Sequence, residues 1–133
     1  MKIQTQNTPL PVSPSLLSLI QRGVDAADIK HDSGLVIHFR DPAYSSEYGG
    51  FHPVEIALDN TGRLLYITDF AYVGSRPFVE LAKELDFDFQ CARFQHFDRD
   101  YAIQHGRSMF LLWQRNFLAY VEMRIYDVSV EGG

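Results

Sequence analysis

The stretch of sequence that decides the fold is residues 51–90, FHPVEIALDNTGRLLYITDFAYVGSRPFVELAKELDFDFQ. Apolar and polar residues alternate at its beginning and at its end, which is the period-two pattern of strands with one solvated face. Between two of these runs, Asp59 to Gly62 supplies a turn whose glycine can take the positive φ that closes a hairpin. The pattern predicts antiparallel strands near residues 51–59, 63–73 and 84–92.

The second of these strands differs from its neighbours because it is apolar on both faces. Such a strand is typical of the centre of a sheet that is covered on both sides. The run from Gly74 to Pro77 then interrupts the pattern. Because proline suits the first turn of a helix, we expect a short helical segment that ends at Lys83 before the next strand begins.

Outside this stretch, two segments show the spacing of helices. Ser13 can cap a helix whose first residue is Pro14, and Gly23 favours an early end to it. A longer run, residues 104–120, is apolar over most of its circumference, and Trp113 lies on its apolar face, where we expect it to be buried. A helix that apolar either lies deep against the sheet or also forms a subunit interface. The predicted helices therefore span residues 14–23 and 104–120.

The remaining segments complete an α+β fold. Residues 34–40 and 122–130 alternate as strands, whereas residues 92–101 have the composition of a connection. Residues 1–12 form an extended lead-in and residues 131–133 a frayed tail. We predict a single domain of 133 residues, with a twisted, largely antiparallel β-sheet flanked by an N-terminal helix and a long helix in the C-terminal half.

The composition excludes several classes of function. The chain is 46% hydrophobic and 22% charged, with a net charge of −5, and its twelve Lys and Arg residues are scattered. This distribution argues against nucleic-acid binding and is compatible with a basic protein partner. No apolar run reaches the roughly 20 residues that a membrane span needs. The single Cys91 excludes an internal disulfide. We expect a cytoplasmic protein with no cofactor and no membrane association.

The hairpin brings together the side chains that are best suited to binding a cation or to acid-base chemistry. If Asp59 to Gly62 closes the turn in ordinary register, His52 lies opposite or beside Asp69. If the next strand pairs with this one, Asp86 or Asp88 approaches Asp69, and such a cluster could bind a cation or raise a carboxylate pKa. The alternative, which we favour from the sequence, is a solvated polar face in which Asp69 bonds to the backbone or to His52.

A second candidate surface is the loop of residues 41–50, DPAYSSEYGG. Tyr44 and Tyr48 offer rigid amphipathic faces of the kind that binding loops use, but we favour the alternative in which they cover the edge of the core. The five histidines have no spacing typical of a metal centre. The chain has no phosphate-binding glycine loop, nucleophile elbow or dinucleotide fingerprint.

These observations favour a non-enzymatic protein-binding or assembly domain, and we expect it to form a homo-oligomer. Its candidate contact residues are Tyr44, Tyr48, Asp86 and Asp88. The alternative is a small-molecule or metal-dependent enzyme with a site near His52, Asp69, Asp86 and Asp88.

Four runs resemble a known family: FRDPAYSSEYGGFHPVEI (39–56), YITDFAYVG (66–74), KELDFDF (83–89) and LLWQRNFLAYVEM (111–123). The family comprises small proteins with a domain of unknown function from marine and enteric gammaproteobacteria, often carried on mobile or pathogenicity islands. Its members are similar in fold to the mitochondrial acidic matrix protein that also acts as a receptor for complement globular heads. The resemblance implies a twisted antiparallel sheet flanked by helices, in an oligomer that binds proteins and is not an enzyme.

Overall fold

The predicted hairpin forms the middle of the sheet. The computed structural model describes residues 1–6, 8–27, 33–75 and 77–132, and within them the strands form one seven-stranded sheet in which every neighbouring pair is antiparallel. The elements in chain order are α1 (Pro14–Ala26), β1 (Leu35–Arg40), β2 (Val54–Leu58), β3 (Leu64–Val73), β4 (Glu80–Asp88), β5 (Arg93–His96), β6 (Arg99–Ala102), a 3-10 helix (Ile103–Gly106), α2 (Arg107–Glu122) and β7 (Asp127–Gly132). The strand order is β6-β5-β4-β3-β2-β1-β7, which confirms the predicted α+β class.

Both α-helices pack on one face of the sheet. Ile37 of β1 is fully buried beneath α1, where a Cβ built on Gly23 would lie 3.0 Å from the Ile37 Cδ1 atom. Gly23 therefore allows the helix to approach the strand closely and does not end it, so the predicted end of α1 at residue 23 is wrong. Phe39 of the same strand packs edge-on against Phe117 of α2, with ring centroids 5.0 Å apart.

A buried glutamine joins the two helices. Gln114 of α2 is polar but only 5% exposed. Its Oε1 accepts a hydrogen bond from the Ser13 N–H at 2.8 Å, and its Nε2 donates to the Pro11 carbonyl at 3.2 Å. Ser13 in turn caps α1, because its Oγ accepts the Leu16 N–H at 3.1 Å. The burial predicted for Trp113 is confirmed, since that residue is 6% exposed.

The β2–β3 hairpin closes as the sequence predicts. Gly62 has a φ of +88°, and a Cβ at this position would lie 2.1 Å from the Lys2 carbonyl oxygen. The predicted register places His52 opposite or beside Asp69. In the structure the partner of Asp69 is Val54, so the pairing is shifted along β2, but His52 still lies beside Asp69. β3 is the central strand, as expected, but the helices cover it on one side only, so Tyr72 on the other side is exposed.

Two segments predicted as irregular or helical are strands. Residues 77–83 do not form a helix: the Phe78 N–H closes a turn on the Ser75 carbonyl at 2.7 Å, and β4 begins at Glu80, which pairs with Val73. Cross-strand pairing with the long central strand here overrides a locally helix-compatible sequence.

Residues 92–101, predicted as a connection, form the hairpin of β5 and β6. These strands have four residues each, too few for an alternating pattern to stand out. Phe94 anchors β5 by stacking on Phe87, with ring centroids 5.3 Å apart. At the turn, Phe97 has a φ of +54°. This conformation is uncommon for phenylalanine, so the sequence does not predict the turn.

Candidate functional site

A cleft of about 320 Å³ lies between α2 and the central strands. Its apolar walls come mainly from α2 and from the segment before β2, and its polar end comes from three side chains of the sheet region. The apolar residues include Phe51, Met109, Leu112, Trp113, Phe117 and Tyr120, and the polar ones are His52, Asp69 and Glu84. The apolar stripe predicted for α2 thus lines a cleft as well as a core.

His52 forms the polar end of the cleft, and two carboxylates lie close to the same nitrogen of its ring. The His52 Nδ1 atom lies 2.8 Å from Asp69 Oδ1 and 2.9 Å from Glu84 Oε2. The hydrogen bond to Asp69 raises the pKa of His52 most, burial opposes it, and the charges of Asp69 and Glu84 reinforce it. The three ligand atoms lie within 4.8 Å of one another, and no other such group of three occurs among the residues that the structure describes.

A β-bulge brings Glu84 to this site. Across β3 and β4, Asp69 pairs with Leu85 and Phe70 pairs with Lys83, so Glu84 has no partner of its own. A bulge of this kind re-aims a side chain, here toward the face that Asp69 occupies. The carbonyl of Glu84 is held by the Phe97 N–H at 2.8 Å, so the β5–β6 turn fixes the backbone of the bulge.

Aromatic residues orient the other two members. The Trp113 Nε1–H donates to Asp69 Oδ2 at 3.0 Å, which leaves Asp69 Oδ1 directed at the histidine. The Tyr44 ring packs at a tilt against the His52 ring, with centroids 5.4 Å apart. The Tyr126 hydroxyl donates to the His52 carbonyl at 3.2 Å and fixes the backbone that carries the ring. Each polar side chain is therefore positioned by a contact from outside the group.

The predicted neighbourhood of His52 and Asp69 is confirmed, but the expected approach of Asp86 or Asp88 is wrong. Asp86 lies on the other face of the sheet, where its Oδ1 accepts a hydrogen bond from the Thr68 hydroxyl at 2.8 Å. Asp88 Oδ1 accepts the Cys91 N–H at 2.9 Å in the turn after β4. Successive strand residues alternate between faces, and the unpredicted bulge brings Glu84 in their place.

A second histidine cluster lies on the sheet face opposite the helices, which we call the open face. The His38 Nε2 atom lies 2.7 Å from Glu131 Oε1, and its Nδ1 lies 3.4 Å from Glu55 Oε1. The Tyr66 hydroxyl donates to Glu55 Oε2 at 3.3 Å. Burial, together with the charges of Glu55, Asp86 and Glu131, raises the pKa of Tyr66 to about 12. This cluster places two carboxylates, on β2 and β7, around one histidine near the β7 edge of the open face.

The two tyrosines of the loop of residues 41–50 have different roles: one packs against the sheet, and the other is free to bind. The Tyr44 hydroxyl accepts the Tyr72 N–H at 3.1 Å, and the two rings stack with centroids 5.1 Å apart. Tyr44 thus fixes the loop on β3. Tyr48, in contrast, is 88% exposed, and Phe78 of the β3–β4 turn is 83% exposed. Leu81 and Tyr72 are also exposed, so the open face ends in an apolar, aromatic rim.

His31, one of the histidines weighed from the sequence, lies outside the described residues. Among the helices of the described residues, none has the length and apolar character needed to cross a membrane.

Comparison with known proteins places the chain in a family. Two solved structures from Vibrio cholerae share 38% sequence identity with it. The hypothetical protein VC0508 of the VSP-II pathogenicity island has a TM-score of 0.84, with 97% of this chain and 100% of that one covered. The protein VC1805 of pathogenicity island VPI-2, described as sharing structural homology with the human P32 protein, has a TM-score of 0.81, with 95% and 98% covered.

These neighbours confirm the family resemblance seen in the sequence and carry no assigned activity in their descriptions. No curated protein matches the chain. The family model described as protein of unknown function (DUF2787) matches residues 14–131. The chain therefore belongs to the DUF2787 family of proteins of unknown function.

Proposed function

We propose that this protein is a non-enzymatic binding protein whose open face receives a basic segment of a partner protein. The observation that carries the proposal is the acidic cluster near the β7 edge of that face, where Glu55 and Glu131 both approach His38 and Tyr66 donates to Glu55. A single histidine offsets at most one of the two carboxylate charges, so we expect this part of the face to attract cations.

Two of the cations on this face are paired with other carboxylates, whereas Arg40 lies two residues after His38 on the same face of β1. Lys83 Nζ lies 3.8 Å from Asp86 Oδ2, and Arg93 Nε lies 3.0 Å from Asp100 Oδ1. Neither neutralises the cluster around His38. Arg40 offsets part of the charge of Glu55 and Glu131, and a lysine or arginine of a partner would offset the rest. Arginine is favoured further because it can stack on exposed tyrosine rings.

A shallow groove joins the acidic cluster to the aromatic rim. It encloses about 410 Å³, and its walls include Glu55, Tyr44, Phe70, Tyr72 and Leu81. Aromatic residues are enriched at protein interfaces, and exposed apolar groups that cluster in this way commonly meet a partner. We therefore expect a partner segment in which basic residues alternate with apolar ones. Tyr44 and Tyr72 contact its apolar residues, and exposed Tyr48 extends the contact along the loop.

A peptide selection tests the proposal without a known partner. Random peptides displayed on phage are selected against the wild-type protein and counter-selected against the double variant Glu55→Gln, Glu131→Gln. We expect enrichment of peptides rich in lysine and arginine, whose affinity falls with added salt because exposed charge pairs are screened over about 10 Å at 0.1 M. Tyr72→Ala should weaken the same peptides.

Asp98→Asn is the matched control, since it removes one exposed carboxylate in the turn between β5 and β6. It should leave binding of the selected peptides unchanged. Enriched peptides without net positive charge, or peptides that bind the double variant as tightly as the wild type, would overturn the proposal.

We further propose that the protein self-associates through α2, as its apolar circumference led us to expect. Leu111, Leu112 and Met123 are 44%, 46% and 59% exposed, and burial against a second copy is the commonest way to cover such a surface. Light scattering at micromolar concentration should give a mass above the 15.3 kDa of one chain, and Leu111→Glu should reduce it. A mass of 15.3 kDa for the wild type would contradict this part of the proposal.

A further inference from the structure

We propose that His52, Asp69 and Glu84 bind a divalent transition-metal cation, with Zn²⁺ as the best match. The site lies in the cleft under α2, on the opposite side of the sheet from the open face, so it does not depend on the proposed protein-binding role.

The three ligand atoms already converge. His52 Nδ1 lies 2.8 Å from Asp69 Oδ1 and 2.9 Å from Glu84 Oε2. Ligand atoms at ~2.0–2.2 Å from a tetrahedral zinc stand roughly 3.3 Å apart. A cation at this point therefore requires the nitrogen and the oxygens to separate by only about half an ångström, which side-chain rotation supplies. The cation would lie where Nδ1 and the two carboxylate oxygens converge.

The charges suit a divalent ion. A neutral imidazole and two carboxylates together offset the charge of one divalent cation, whereas one imidazole proton offsets a single negative charge. The donor set of one nitrogen and two oxygens suits zinc, manganese or iron better than calcium or magnesium, which prefer oxygen ligands alone.

The ligands are held from outside, as metal ligands usually are. Trp113 Nε1–H binds the second oxygen of Asp69, and the bulge in β4 aims Glu84. The tilted ring of Tyr44 restricts rotation of the His52 ring. Outer contacts of this kind fix ligand orientation and raise metal affinity. Three ligands also leave at least one coordination position free, and the three residues line the cleft of about 320 Å³, from which a further ligand could enter.

The His38 cluster provides an internal control because it has the same composition but a different geometry. Its carboxylates approach different ring nitrogens, Glu131 at Nε2 and Glu55 at Nδ1. The two nitrogens point in different directions, so one cation cannot bind the imidazole and both carboxylates there. We assign the metal site to the His52 cluster alone.

The test is calorimetric titration of the full chain, stripped with EDTA, with ZnCl₂, MnCl₂ and MgCl₂ in turn. We expect one zinc ion per chain, weaker manganese binding and no magnesium binding. Glu84→Gln and His52→Gln should each weaken zinc binding at least tenfold, because each removes a ligand. His38→Gln should leave zinc binding unchanged. Since Trp113 donates to a ligand, its fluorescence should change on zinc addition in the wild type.

A second readout covers variants that fold poorly. Circular dichroism checks the fold of each variant, and histidine ring resonances measured by NMR on the wild type show which imidazole shifts when zinc is added. The proposal holds if the His52 resonance shifts and the His38 resonance does not. It is overturned by the absence of zinc binding at millimolar concentration, by equal losses in His38→Gln and His52→Gln, or by a zinc-induced shift confined to other histidines.

Discussion

The two faces of the sheet carry clusters of the same composition, one histidine with two carboxylates, and yet the clusters are built differently. On the helix-covered face, both carboxylates meet the same nitrogen of His52. On the open face, they meet different nitrogens of His38. The first arrangement concentrates negative charge at one point, and the second spreads it across three strands. Residue types alone therefore do not decide what such a cluster can bind.

Strand regularity explains the difference. His38 lies in the middle of β1 with regular antiparallel pairing on both sides, opposite Glu55 of β2 and Ser129 of β7. Regular pairing places one neighbouring strand on each side of the ring, so its carboxylates arrive from opposite directions. His52 precedes β2, and Glu84 sits at a bulge. These two irregularities let both carboxylates reach a single atom.

Trp113 donates a hydrogen bond to the His52 cluster and has no such contact with the His38 cluster, and its removal gives the largest expected effect. Trp113→Ala should destabilise the protein by about 3–5 kcal/mol, since it deletes a large buried aromatic ring. Trp113→Phe keeps a ring but removes the N–H that binds Asp69, and should cost about 1–3 kcal/mol because a buried carboxylate oxygen loses its donor. Urea unfolding followed by circular dichroism measures both. Equal losses for the two variants would show that the hydrogen bond, and not the packing, dominates.

The next effect concerns the turn that sets the register of β2 and β3. Gly62→Val should destabilise by about 1 kcal/mol or more, because Gly62 has positive φ and its added Cβ would meet the Lys2 carbonyl at 2.1 Å. Gly49 also has positive φ but has no atom within 4 Å of an added Cβ, so Gly49→Val reports conformational strain without the clash. Denaturation midpoints of the pair separate the two causes. Equal shifts would mean that the contact with Lys2 is unimportant.

A direct comparison of the clusters uses the two histidines. His52→Gln should destabilise the protein by about 1 kcal/mol. The carboxylates of Asp69 and Glu84 then lose the imidazole that lies between them and hydrogen-bonds to both. His38→Gln should cost less, since Glu131 is 66% exposed and solvent screens its charge. Urea unfolding at neutral pH without divalent ions gives both values. A larger loss for His38→Gln would break the distinction between a converging and a bridging cluster.

The sequence predicts the parts of this picture that depend on periodicity. Alternation gives the strands of the central hairpin, and the turn from Asp59 to Gly62 brings His52 beside Asp69, as the structure confirms. The helical stripe gives the burial of Trp113. In each case the physical signal is local, since it resides in neighbouring residues of one element or one turn.

The parts that the sequence does not predict depend on long-range pairing. The bulge that presents Glu84 exists only because β4 pairs with β3 over nine residues of strand, so Asp86 and Asp88 looked equally suitable. The hairpin of β5 and β6 is too short to show a pattern. The burial of Gln114 depends on backbone groups more than a hundred residues away, which periodicity cannot reveal.

The smallest expected effect is alkaline and belongs to the open face. The pKa of Tyr66 is raised to about 12, mainly by burial and then by Glu55. The unfolded chain releases this proton near pH ~10, so the folded state holds more protons above that value. Stability should therefore fall as the pH rises from about 10 toward 12, and Tyr66→Phe should make that fall shallower. Some slope should remain, because burial also raises the pKa of Tyr126. Glu55→Gln should bring the tyrosinate absorbance of Tyr66 to lower pH. Urea midpoints across this range that are parallel for the wild type and Tyr66→Phe would show that neither burial nor the carboxylates raise the pKa of Tyr66. An unchanged tyrosinate absorbance in Glu55→Gln would show that Glu55 does not contribute, and would remove the electrostatic contrast between the two clusters.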